Sequence, residues 1–172
     1  MIGGREYLDF ELSPAFAIVD HQVAHLYVKA GHEHEVRSAV EKVEGIDMLL
    51  DARSKADYHI DHPRAGTFIA VSSRDSWFSY YWWEERAKEP YFAPHVDIHR
   101  KPGYDPLELF IEPGTFKVPQ DTGLIKGSHG YPPLTEQDYL PLIISGSGVK
   151  GNEIAEDLCI TDDAGLIEKV LS

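Results

Sequence analysis

AFAIVDHQVAHLYVK, residues 15 to 29, decides the fold. Ala15 to Asp20 is a short apolar run that ends in a carboxylate, and the following VAHLYVK alternates with period two. Both read as strands, with a break at Asp20-His21-Gln22. Neighbours on a regular strand point to opposite faces, so Asp20 and His21 can serve one centre only where the strand has stopped. The turn that follows permits it.

Outward from this pair, Glu33 to Val43 places Val36, Ala39, Val40 and Val43 at helical spacing, with Gly45 as a stop. Ile46 to Leu50, Thr67 to Ser72 and Trp77 to Trp83 are further apolar segments, the first two separated by the turn-like DHPRAG. The order β-α-β-β-β predicts a small α+β lobe. From Glu89 to Pro133 prolines and glycines recur without a sustained period, which predicts long irregular structure of the kind that carries function. Tyr139 to Ser145 (YLPLIIS) reads as a buried strand. Thr161 is the expected cap of a last helix presenting Ala164, Ile167, Val170 and Leu171 on one side. The fold class expected is α/β.

A chain of 172 residues with 42% hydrophobic content can bury one substantial core. Its 16 Lys+Arg against 29 Asp+Glu, net −13, argue against nucleic acid, because neutralising phosphates takes a basic face. Carboxylates in such excess suit divalent cations better. The single cysteine, Cys159, excludes an internal disulfide and a cysteine-based zinc finger and fits a reducing compartment. No apolar run is long enough to cross a bilayer, and the first residues lack the basic-then-apolar order of a signal peptide. A cytoplasmic protein without membrane association is expected.

Nine histidines raise the question of metal. Two places put a histidine on irregular backbone beside small or turn residues: Asp20-His21, and His129 within KGSHGYPP, residues 126 to 133. Glycines on either side of His129 allow close backbone approach and unusual dihedrals. One carboxylate and two imidazoles form a plausible part of a zinc shell. From spacing alone the alternatives stay open: Asp20 caps a turn or ligates, and His21, His25 and His129 are strand or turn side chains or ligands. His32 and His34 flank a helix start and read as solvated. His59 and His62, around DHPRAG, read as local hydrogen-bonding groups. Asp97, His99, Arg100, Lys101 and Asp105 read as a salt-bridged structural loop. The run WFSYYWWEE holds six aromatics in seven positions and reads as packing or a subunit interface.

Taken together, Asp20-His21 at a strand end and Gly127-Ser128-His129-Gly130-Tyr131 much later resemble the alkaline phosphatase superfamily. The segments DHPRAGTFIAVS, DSWFSYYWWEE and VDIHRKPGYDPLELF are similar to its type I phosphodiesterase/nucleotide pyrophosphatase branch, so the resemblance runs over nearly the whole chain. It implies a binuclear metal hydrolase, with zinc the usual metal, in which a Thr or Ser hydroxylate attacks phosphorus and water then frees the covalent intermediate. Asp20 and His21 would ligate the metal that activates the nucleophile, and His129 the metal that activates the water. The implied substrates are phosphodiesters, nucleotides or phosphonates. The implied architecture is a partial core of mainly parallel strands, residues 1–22 and 84–172, including Ala15 to Asp20 and Tyr139 to Ser145. An inserted α+β lobe, residues 23–83, completes it.

Departures from the family pattern set a further expectation. The family's opening Asp, its Thr or Ser nucleophile and an Asp with a His four residues later precede the equivalent of Asp20. The nineteen residues MIGGREYLDFELSPAFAIV are too few to fit this equipment, and Gln22 stands where many relatives have Gly. The resemblance is therefore to the C-terminal part, with no catalytic residue assigned and no activity expected of the chain alone. A non-catalytic binding or assembly module, or one half of an enzyme completed by another polypeptide, are the other readings. A core lacking neighbouring strands exposes edges and apolar surface, so a homo-oligomer is expected.

Overall fold

Two residues, His21 and Gln22, make the turn of the hairpin on which the candidate site is built. The computed structural model describes residues 3–96, 110–119, 121–146 and 158–171. Strand β1 (Ala15–Asp20) pairs antiparallel with β2 (Val23–Val28), Asp20 opposite Val23. Helix α1 (Glu33–Val40) follows, three residues shorter than the apolar spacing suggests, and Gly45, at φ 86°, leads into β3 (Ile46–Leu50).

Helix α2 (Ala52–Asp57) lacks an apolar period long enough to announce it. It is started by Asp51, whose carboxylate accepts from the backbone N–H of Arg53 and Ser54, while Ser54 Oγ accepts from the Asp51 N–H. Strand β4 (Phe68–Ser72) is buried along its whole length. The sheet order is β1-β2-β4-β3 and every pairing is antiparallel. Because β2 and β3 both oppose β4, they run the same way with β4 between them, a split β-α-β arrangement.

The core is Leu50, Ile69 and Val71, with Val23, Met48 and Tyr131 packed against it. Ile69 is completely buried, worth roughly 2–3 kcal/mol of apolar transfer. Register slips between Ile46 and Met48, so Asp47 is the extra residue of a bulge. A bulge re-aims its side chain. Here the Asp47 carboxylate accepts from the Tyr131 hydroxyl at 3.0 Å, which anchors a loop far along the chain to the β3 edge.

The mixed α and β character is as expected, but three details are not. Strand β1, anticipated in a core of mainly parallel strands, is instead the edge of an antiparallel sheet whose other three strands come from the segment anticipated as a separate lobe. Trp77 to Trp83 and Tyr139 to Ser145 form no strand. Pro141 removes a ladder donor from the second of these, and neither forms a strand ladder among the described residues. Thr161 lies inside a 3-10 turn, Ile160–Asp162, and the last helix, α3 (Asp163–Leu171), starts later; the Asp162 carboxylate accepts from the Cys159 N–H at 2.8 Å. The chain divides into two compact units, Met1–Pro132, which holds the whole sheet, and Pro133–Ser172. Among the described residues no helix is long and apolar enough to cross a membrane.

Candidate metal centre

The β1–β2 turn puts His21 at φ 52°, a left-handed conformation that glycine adopts freely and other residues hold at a cost of about 1–3 kcal/mol. Two-residue hairpin turns need such a φ at their first central position, which explains why the backbone takes it. What keeps a histidine there is the anchoring on either side. Gln22 is buried, and its side-chain amide donates among the carbonyls of Ser73, Arg74 and Ser76 at 3.1 to 3.3 Å. The His21 carbonyl accepts from the Phe78 N–H at 2.7 Å. The amide of Gln22 thus fills a role that a glycine at this position could not.

The segment from Gly127 to Tyr131 closes on this turn. Tyr131 packs against the core, and the His129 carbonyl accepts from the Gln22 N–H at 3.0 Å. Gly130 stands between them at φ 109°, where an added Cβ would lie 2.9 Å from Val23 Cγ2. Glycine is required there by both conformation and space. Gly127 is different: a Cβ there would meet nothing within 4 Å, so the expected need for two flanking glycines holds for one of them.

The result brings Asp20, His21 and His129 together, with one ligand-capable atom from each within 4.8 Å of the others. His129 Nε2 is 3.9 Å from Asp20 Oδ1, and the two imidazoles are 4.3 Å apart between centroids at an angle of 41°. Donors about 2.0–2.1 Å from one tetrahedral zinc stand about 3.3 Å apart, so seating an ion takes closure of the Asp20–His129 pair by roughly 0.6 Å and of the widest pair by at most about 1.5 Å. The donor set, one carboxylate oxygen and two imidazole nitrogens, fits zinc. Asp20 and His129 are exposed and His21 half-buried, which leaves positions open towards solvent. Trp77 borders the site, its ring 6.0 Å from that of His21.

Other histidines have local duties. His25 Nδ1 accepts from the Gly66 N–H at 3.2 Å; burial, then the charge of nearby Lys55, holds its pKa below the ordinary 6.5. His62 Nδ1 accepts from the Arg64 N–H at 3.1 Å, as the DHPRAG turn suggests, and His32 meets Glu35 at 3.1 Å. Asp97, His99, Arg100, Lys101 and Asp105 lie outside the described residues. The aromatic run packs partly on itself and on its surroundings, through Tyr81 with Trp83 and Trp82 with Phe92.

Sequence reasoning gave no role to Ser128, whose Oγ lies 3.1 Å from His21 Nδ1. Its place beside His129 was the available signal; that it faces the other imidazole depends on the fold. No protein-family model, curated protein or solved structure matches this chain.

Proposed function

We propose that Asp20, His21 and His129 hold a divalent metal, zinc in the first instance, as part of the centre of a phosphodiesterase or nucleotide pyrophosphatase type hydrolase. One observation carries the reading: side chains from a hairpin turn and from a loop more than 100 residues later, as in the 107 residues between His21 and Ser128, converge with donor chemistry that suits zinc. Three protein ligands and an open side are the pattern of catalytic zinc, whereas structural sites are closed by four. Such a metal supplies Lewis acidity and lowers the pKa of a bound water or hydroxyl. The chain's own part is to hold the donors: Asp20 through the end of β1, His21 through the strained turn, His129 through Gly130 and Tyr131.

With no nucleophile assigned, the reading makes this chain a contributor to the site, completed by further ligands. It belongs by resemblance to the C-terminal part of the alkaline phosphatase superfamily core. Metal content of the purified chain, compared with Asp20→Ala and His129→Ala, tests it by mass spectrometry. Stoichiometric zinc lost in both variants supports the site. Two ions per chain would favour separate roles for the Asp20-His21 pair and His129, and one ion a shared one. Zinc retained in both variants contradicts the reading, and phosphodiester hydrolysis by the chain alone, abolished in His129→Ala, contradicts its incompleteness.

A second reading, an oligomeric assembly module, rests on exposed aromatics: Trp82 is 44% exposed, Phe92 44% and Tyr91 65%. Aromatic residues in such density favour an interface. A monomer by light scattering, with or without chelator, would set this reading aside.

A further inference from the structure

The contact between His21 Nδ1 and Ser128 Oγ has no counterpart in the ligand set, yet it joins the two pieces of chain that make the site. A neutral imidazole carries one N–H, and the nitrogen that ligates a metal must be the other one. Metal-bound histidines usually donate this second N–H to an outer partner, which fixes both tautomer and ring orientation. A serine hydroxyl can accept such a bond and turn its own proton elsewhere.

The backbone gives Ser128 little freedom to leave. Its successor, His129, is held through its carbonyl by the Gln22 N–H, and Tyr131 is packed against the core and bonded to Asp47. Ser128 is therefore presented to the hairpin by the same loop that brings His129.

Resting on the metal reading above, we infer that Ser128 is a positioning residue for the centre. It accepts the Nδ1–H of His21, leaves the Nε2 lone pair to face the metal, and makes the loop carrying one ligand orient the other. Docking of Gly127–Tyr131 and readiness of His21 are then one event. The consequence is that the tautomer of His21 is set before any metal arrives.

The test is nitrogen NMR of histidine-labelled chain without metal, above the pKa of free imidazole, in the unmodified protein and in Ser128→Ala and Ser128→Thr. His21 is assigned by loss of its signals in His21→Asn. The expected result is an Nδ1–H tautomer in the unmodified protein, a shift towards the Nε2–H form that free imidazole favours in Ser128→Ala, and recovery in Ser128→Thr. Zinc affinity, measured by competition with a chromogenic chelator, should fall about 10–100-fold in Ser128→Ala and recover in Ser128→Thr. The same tautomer in Ser128→Ala as in the unmodified chain, or an unchanged affinity, overturns the proposal. If the unmodified chain takes up no zinc, the metal reading fails, while the tautomer comparison still decides the role of Ser128.

Discussion

Phe68–Ser72 and the run from Tyr139 to Ser145 look alike as sequence, short and apolar with a serine at the end, but only the first is a strand. FIAVS lies between β2 and β3, bonded on both sides and buried throughout. YLPLIIS has a proline at its third position and no strand partner among the described residues, and Leu140 and Ile143 are 83% and 87% exposed. Apolarity makes a segment a candidate for burial; partners on both edges make it a strand. Residues 127 to 131 form a third case, irregular in backbone yet fixed, because single groups dock on the sheet at Gln22, Val23 and Asp47.

These differences set a graded series of effects. Ile69→Ala, in the middle of β4, should cost about 2–5 kcal/mol in denaturant unfolding, from lost transfer energy plus the cavity left behind. A loss under about 1 kcal/mol would mean the strand is not the core of the fold. Gly130→Ala meets both a left-handed φ and Val23, and should cost about 1–3 kcal/mol while moving His129 away from the turn. Full zinc affinity in that variant would show that the docking of this loop is not what builds the site.

A smaller effect belongs to His25. Its pKa is lowered in the fold, so between that value and 6.5 the unfolded chain binds more protons, and stability rises with pH. The stabilisation is fully present above 6.5 and lost as pH falls through the folded value. Urea midpoints should drop between about pH 7.5 and about pH 5, and less steeply in His25→Gln, which has no imidazole to charge. Equal slopes would remove His25 as a cause. The smallest effect is expected at the other run: Ile143→Ser should change stability by no more than about 0.5 kcal/mol, and a larger loss would show that this segment is buried after all.

Much of the sheet was legible from sequence, because its signals are local. Period-two alternation in VAHLYVK, the apolar runs at 46–50 and 67–72, and the turns at His21-Gln22 and DHPRAG all act within a few residues. Helix α2 was missed because its cause is a cap at Asp51, not a hydrophobic stripe. The place of β1 in a parallel core, implied by resemblance, was misleading, since strand direction depends on pairing that no single segment encodes. Asp20, His21 and His129 could be nominated from turn chemistry and glycine. Their meeting, and the contact of Ser128 with His21, depend on Tyr131 packing against the core, a long-range event that spacing does not express.

The most direct test is diffraction from zinc-soaked crystals at energies above and below the zinc absorption edge. The account predicts an anomalous peak within about 2.0–2.2 Å of Asp20 and of the His21 and His129 ring nitrogens, with His21 bound through Nε2. If a second ion is present, the peaks would divide these ligands between them. A peak elsewhere, or none at this turn with zinc in excess, would contradict it.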